Sequence, residues 1–265
     1  MRHLSPNRVP SHRLHIRRMS LLPLPKTLIP FLAPYLPVKR DDRPFVTLTW
    51  AQSLDARIAS RPGVQTKISH LETKTMTHYL RAYHDAILVG VGTVLADDPK
   101  LNCRYGNFSK IRPVVVDPDA KWDYSKSTLC RLKNEGTGLA PFIFVNDDAT
   151  TSPENEDILR SQEGAYCRLP MDLSNRANNW LLILNALHNV GVNSVMIEGG
   201  AVVINELLQS SVVDSVVITI GPVFLGKDGL EVSPASARIL GNVNWWRGET
   251  DSVMAGHLIP EGQPH

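Results

Sequence analysis

Cysteine is scarce in this 265-residue chain: Cys103, Cys130 and Cys167 are an odd number, widely spaced. That excludes a disulfide framework and suits a reducing compartment. No pair has zinc-site spacing. His70-Leu71-Glu72 matches the first half of a nucleobase-deaminase zinc signature, but no Pro-Cys-x-x-Cys follows, so no metal is expected. Long apolar runs are also lacking. Leu21 to Val38 is greasy, yet Pro23, Pro25, Pro30, Pro34 and Pro37 interrupt it. It is no membrane span and a poor secretory signal. Acids are missing from residues 1–40, which hold eight Lys/Arg. Residues 41–265 therefore carry 20 basic against 26 acidic residues, so the formal +2 of the whole chain hides an acidic body. Such a body disfavours nucleic acid as a partner.

The remainder is ordinary for a folded domain, 43% hydrophobic and 20% charged. Residues 1–43 read as a disordered Pro/Arg-rich extension, and residues 44–265 as one domain. The Arg-rich start resembles an organelle transit peptide only faintly. A cytoplasmic location is expected, with mitochondrial targeting the lesser alternative.

Short apolar runs alternate with helical patterns. Phe45 to Trp50, Ala86 to Val89, Pro113 to Val116, Phe142 to Val145, Val195 to Ile197 and Val212 to Ile220 read as strands. Ser69 and Glu72 form a capping box for a helix with Met76, Tyr79, Leu80 and Tyr83 on one stripe. Asn175 to Val190 reads as a helix stopped by Gly191, with Leu181, Leu184, Leu187 and His188 on one side. A further helix runs from Ala201 through Leu208. Asn146 to Gly164 reads as a polar loop. The pattern is α/β with a mainly parallel central sheet flanked by helices.

Ligands of open α/β sheets sit beyond the carboxyl ends of the strands. Three such ends are loaded with polar groups. The first is Ala51-Gln52-Ser53-Leu54-Asp55. The second is the Gly90 to Arg104 stretch, read as a loop with Gly90, Gly92, Thr93, Asp97, Asp98 and Arg104. The third is Glu198-Gly199-Gly200-Ala201 before a helix, where outward N–H groups and the helix dipole suit an anion. A tight strand-to-helix turn explains that Gly-Gly equally well. No Gly-x-Gly-x-x-Gly opens a helix after the first strand, which disfavours a plain Rossmann dehydrogenase. Ser53 lies in no nucleophile elbow. His78 and His84 read as surface or packed histidines rather than bases. Asp55 either caps its own turn or serves a ligand. Arg81, two residues from Tyr79, faces away from the apolar stripe and reads as a solvated charge on its own evidence.

Taken together, Val46 to Asp55, Leu80-Arg81, Val91-Gly92-Thr93-Val94-Leu95-Ala96-Asp97-Asp98-Pro99 with Leu101 and Arg104, and Glu198-Gly199-Gly200-Ala201 resemble the riboflavin-pathway reductase family. The Thr-Val-Leu-Ala-Asp-Asp-Pro string is highly specific, and the likeness spans roughly residues 44 to 230. The likeness points to the stand-alone fungal branch, and the missing deaminase motif agrees. The resemblance implies a dihydrofolate-reductase-like fold, a homodimer and NADPH as hydride donor, with NADH possible. It implies reduction at C1′ of a ribosylaminopyrimidinone 5′-phosphate to its ribitylamino product. By the same resemblance Ala51, Thr93, Asp97, Gly199, Gly200, Ala201, Val202 and Val203 contact the cofactor. Arg81, Leu101, Arg104 and Glu198 contact this phosphorylated pyrimidine, the arginines at its phosphate. Asp55 and Glu198 are expected at the reacting sugar chain, Asp55 or a water supplying the ring-opening proton. A dihydrofolate- or pterin-type reductase and a non-catalytic nucleotide-binding regulator are the competing readings. Three stretches depart from the family pattern: Ala56 stands where glycine is usual, Ala51-Gln52 replaces a commoner pairing, and Gln65 to Ser69 matches loosely.

Overall fold

The structure is a computed structural model that describes residues 21–106, 111–172, 174 and 176–260. Its centre is a nine-stranded sheet. In chain order the strands are β1 (Phe45–Gln52), β2 (Arg57–Ala59), β3 (Ala86–Gly90), β4 (Arg112–Val116), β5 (Phe142–Asn146), β6 (Ala165–Leu169), β7 (Ser194–Ile197), β8 (Ser215–Ile220), β9 (Leu230–Glu231), β10 (Leu240–Arg247) and β11 (Ser252–Leu258). The sheet order is β10-β11-β8-β1-β7-β3-β4-β5-β6, and β2 pairs separately with β9. The run from β8 to β6 is parallel, and β11 and β10 add an antiparallel edge. The α/β architecture with a mainly parallel sheet is therefore as expected. Central strands such as Ala86 to Val89 are continuous apolar runs because helices cover both of their faces.

The helices are α1 (Leu28–Leu32), α2 (Leu71–Ala82), α3 (Val91–Asp97), α4 (Thr128–Asn134), α5 (Pro153–Ser161), α6 (Ala177–Asn189) and α7 (Ala201–Gln209). One apolar cluster packs Trp180, Ile183, Leu184 and Leu187 of α6 and Ile204 and Leu207 of α7 against Val46, Leu48, Val195 and Ile197. A second lies around Ile87, Val115, Ile143, Leu129 and Leu159. Gly191 ends α6 at φ +84°, the left-handed stop expected of it.

Several expectations are corrected. The body does not begin at Pro44: Leu28, Leu32 and Tyr35 are 0% exposed and pack on Met76, Leu80 and Trp246. The greasy, proline-broken stretch is a packing segment, so the extension reading fails for residues 21–43; residues 1–20 lie outside the described residues. The Gly90 to Arg104 stretch is not all loop, since α3 occupies its first half. Asn146 to Gly164 contains α5, whose Pro153 sits in the first turn, where its missing N–H costs nothing. Strand β8 starts at Ser215, three residues later than expected.

The capping box is also absent. His70, not Ser69, is the N-cap residue of α2, and its side chain makes no cap bond. Asp251, from the turn between β10 and β11, does that work instead. Its carboxylate accepts from the His70 N–H at 2.7 Å and from the Thr73 hydroxyl, and His70 Nδ1 lies 2.6 Å away. Glu72 reaches back to the same turn and accepts from the N–H groups of Glu249, Thr250 and Asp251 at 3.0–3.1 Å. The helix start and the hairpin turn therefore cap each other.

Candidate active site

Register brings the loaded strand ends together. Leu48 and Leu88 both pair with Ile197, so β1, β7 and β3 finish side by side. Just beyond, Glu198 N–H donates to the Leu88 carbonyl at 3.0 Å, and Gly90 N–H to the Gly199 carbonyl at 3.3 Å. Residues more than a hundred positions apart thus share one crevice. Its volume is about 790 Å³. One wall is α3 with Gly90, Gly92, Thr93 and Asp97, and the floor holds Ala51 and Glu198. The start of α7, Gly200 to Val203, forms a second wall, and the stretch from Pro62 to Ser69 a third. Trp180 and Asn179 of α6 and the turn with Asp119 and Lys121 close the far end.

The Gly-Gly turn is built for close approach. Gly199 has φ +100°, which an L side chain adopts only under strain. A Cβ on Gly200 would come within 3.3 Å of Thr93 Oγ1, the atom that accepts the Gly200 N–H at 3.2 Å. On Gly90 it would meet Val203 Cγ2 at 2.9 Å. Helical geometry leaves the N–H groups of Ala201, Val202 and Val203 without intrahelical acceptors at the cleft wall. These are fit partners for a pyrophosphate. Asp97 is half-buried beside them, and burial raises its pKa. Its neighbour Asp98 turns away at φ +39° and accepts from Thr128 N–H and hydroxyl, capping α4. The two aspartates have different jobs.

Of the four substrate-side residues, Glu198 alone lines this cleft. Arg81 Nε donates to Glu198 Oε1 at 2.6 Å and Nη2 to Oε2 at 2.5 Å, while Nη1 takes the Asn102 carbonyl at 2.7 Å. Burial works against the Arg81 charge, but the Glu198 carboxylate outweighs it and raises the pKa. Arg81 is therefore not a solvated charge: three of its five N–H donors are engaged, two of them fixing the Glu198 carboxylate. Leu101 is 2% exposed, so its side chain belongs to the core. Arg104 lies against His78, with Nη2 2.9 Å from Nε2. Burial, then Arg81 and Arg104, push the His78 pKa down to about 3, which keeps the ring neutral. His84 is likewise a packed core residue: Nδ1 bonds the Leu80 carbonyl at 2.7 Å and Nε2 the Thr47 hydroxyl at 2.8 Å.

Asp55 is not among the lining residues. It accepts from the Ser53 hydroxyl at 2.5 Å and from the N–H groups of Leu225 and Gly226 at 3.1 and 2.8 Å. Those bonds, Ser53 first, hold its pKa down to about 2. A carboxyl so tied to the loop after β8 supplies no proton near neutral pH. Turn-capping describes it. Sequence reasoning missed Trp180 and Asn179, which arrive from α6; nothing local in their sequence marks them as cleft residues. It gave Gln65 to Ser69, part of the third wall, only a loose match.

Residues 44–246 match the RibD C-terminal domain model. The chain belongs to that family. It is 56% identical over 248 residues to the 2,5-diamino-6-ribosylamino-4(3H)-pyrimidinone 5′-phosphate reductase of Debaryomyces hansenii, covering 91% of this chain and all of that one. It is 44% identical to the protein of the same name from Saccharomyces cerevisiae, over 92% of this chain and 100% of its relative. The solved structure of Saccharomyces cerevisiae riboflavin biosynthesis reductase Rib7 superposes with a TM-score of 0.76 at 40% identity, covering 88% of this chain and all of Rib7.

Proposed function

We propose that this chain reduces 2,5-diamino-6-ribosylamino-4(3H)-pyrimidinone 5′-phosphate to the ribitylamino product in riboflavin biosynthesis, with NADPH as the donor. Relatives that match over their whole length carry the reductase name. The observation that carries the reading is the meeting of Glu198-Gly199-Gly200 with Gly90 to Asp97 beyond the carboxyl ends of β7 and β3, an anion cradle beside a carboxylate. When bound, the reduced nicotinamide supplies a hydride to C1′ of the opened sugar.

The chain itself supplies placement. The first-turn N–H groups of α7 hold the pyrophosphate, and the Thr93 hydroxyl steadies that turn through the Gly200 N–H. Glu198, fixed by Arg81, accepts hydrogen bonds from substrate hydroxyls or the pyrimidine amino groups. The ring-opening proton comes from water, because Asp55 is spent on its loop. A homodimer in the cytoplasm belongs to the same proposal; light scattering on the purified chain tests the dimer. Mixing the protein with NADPH and the pathway substrate should consume nicotinamide absorbance in proportion to ribitylamino product. Saturable NADPH binding without that turnover would refute the assigned reaction.

A further inference from the structure

We propose that Asp55 is a positioning residue for this cleft: it holds the β2–β9 ribbon and the Pro62 to Ser69 wall in place before the dinucleotide arrives. The inference rests on the cofactor use proposed above. Ile58 and Ala59 of β2 and Leu230 of β9 line the cleft. Their ribbon stands apart from the nine-stranded sheet. It has two paired positions, Arg57 with Glu231 and Ala59 with Leu230, and the register shifts between them. A two-stranded ribbon this short is marginal in water. Its location is therefore decided by what it is fastened to. The Arg57–Glu231 ion pair joins the two strands to each other rather than to the body, and Glu231 is 57% exposed, so solvent weakens the pair.

Asp55 supplies the fastening. Its Oδ1 accepts from the Ser53 hydroxyl and the Leu225 N–H, and its Oδ2 from the Gly226 N–H. Ser53 is 0% exposed and passes the constraint to the first residue of β2. Its Oγ accepts the Arg57 N–H at 2.9 Å, and its N–H donates to the Arg57 carbonyl at 2.8 Å. On the other side, the loop after β8 gains little from burial. None of residues 222–228 is buried, and Phe224 is 73% exposed. Two consecutive N–H groups of that loop end on the one carboxylate. The loop also meets the third wall, because a Cβ on Gly221 would lie 2.4 Å from the Ile68 carbonyl oxygen. From Ile68 the wall runs back to Thr66, whose Oγ1 accepts the Ser60 N–H at 2.9 Å, one residue past β2. Ribbon, wall and loop close into a frame along one side of the cleft, and Asp55 joins its ends. A frame already in place needs no ordering by the ligand. A frame that opens lowers the competent fraction, and apparent affinity falls in proportion.

The test compares wild type, Asp55→Ala, Asp55→Asn and Ser53→Ala by amide exchange and by NADPH titration, neither of which needs turnover. In Asp55→Ala, residues 53–60 and 223–232 should exchange about 10-fold faster with the central sheet unchanged, and NADPH should bind about 5- to 20-fold more weakly. Saturating NADPH should return both segments toward the wild-type rate. Asp55→Asn keeps an oxygen for Ser53 and Leu225 and should recover most of the affinity. Ser53→Ala cuts the link to β2 without touching the carboxylate and should reproduce both changes. With the pathway substrate, Asp55→Ala should raise KM while kcat stays within about twofold and keeps the shape of its pH profile. A ring-opening acid at this position predicts the opposite split, kcat lost and NADPH affinity kept, and that result overturns the inference. So does wild-type exchange of both segments in Asp55→Ala, or wild-type NADPH affinity in Ser53→Ala. Wild-type protein that binds NADPH and reduces no substrate would instead strike the proposed reaction.

Discussion

The pairing of Arg81 with Glu198 makes the sharpest prediction, because one residue lines the cleft and the other does not. The side chains are 12% and 18% exposed. Breaking a fully buried pair costs about 3–5 kcal/mol, since one charge is left without a partner. Glu198 opens onto the cleft, where water reaches it, so Arg81→Leu should cost less, about 1–2 kcal/mol. Glu198→Leu strands the more deeply held cation with the Asn102 carbonyl alone, and should cost about 2–4 kcal/mol. The double variant removes both charges and should recover part of that, giving a coupling of about 1.5–3 kcal/mol. Urea unfolding of the four proteins measures it. Activity reads the same geometry independently. If Arg81 acts only by aiming Glu198, then Arg81→Leu and Glu198→Gln each lower kcat/KM, and combining them lowers it no further. Stability losses that add within about 0.5 kcal/mol, or kinetic losses that multiply, would refute the clamp. A direct contact of Arg81 with phosphate predicts multiplication, so the cycle separates the two accounts.

Asp251→Ala should cost about 1–3 kcal/mol in urea unfolding, for the lost cap and the buried Thr73 hydroxyl, whereas Ser69→Ala should cost under about 0.5 kcal/mol; the reverse order would restore the capping box. Ala56 sits at φ +57°, a left-handed conformation that glycine adopts without strain, so Ala56→Gly should gain about 0.5–1 kcal/mol in thermal unfolding, and a loss would contradict the strain. Leu32→Ala should cost about 2–5 kcal/mol, as for any fully buried leucine; a neutral result would return residues 21–43 to the status of a dispensable extension. His84 has a folded pKa near 4, chiefly through burial, below its ordinary 6.5. Its contribution is complete above about pH 6.5 and is lost as pH falls toward 4, because the unfolded chain takes the proton first. Unfolding midpoints from pH 7 to 4.5 should therefore fall less steeply in His84→Gln than in wild type, and parallel curves would refute the assignment.

Much of the sheet and one side of the site can be read from the residues. Ala86 to Val89, Val195 to Ile197 and Phe142 to Val145 are apolar runs that no surface strand would carry, and each is a buried strand. Gly199 and Gly200 between such a run and a helix mark a turn where backbone must come close to something, and Thr93 and the start of α7 are what meet there. What escaped reading depends on distant partners. Ser69 and Glu72 have capping-box spacing, but Asp251 offers α2 a better acceptor from about 180 residues away. Arg81 is off the apolar stripe and still 12% exposed, because Glu198 calls it inward. Asp55 has a strand-end position like a functional acid, and only the N–H groups of Leu225 and Gly226 reveal that it is tying down a loop. The antiparallel strands β10 and β11 lack a strong alternating pattern: Gly241, Asn242 and Asn244 interrupt the first, and the register shifts there.

These distant partners share one target. Helix α2 carries Arg81, and through it sets the direction of Glu198. Its first turn is held by Asp251, which lies beyond the residues matched to the family model. Along its length Thr75 donates to the Leu22 carbonyl at 2.9 Å, and Met76 and Leu80 pack on Leu28, Leu32 and Tyr35, which precede the matched residues. The preceding segment also grips β10, at the end of the matched residues. The Tyr35 hydroxyl donates to the Asn242 carbonyl at 2.5 Å and accepts from Asn244 Nδ2 at 2.7 Å, while Trp246 Nε1 donates to Thr27 at 2.9 Å. A helix that must aim a carboxylate into a cleft cannot fray at its start or roll on its neighbours. The parallel sheet supports only one side of α2, so the other side needs a second layer. Here that layer is built from both ends of the chain, and the orientation of Glu198 depends on residues that sequence comparison within the matched region leaves out.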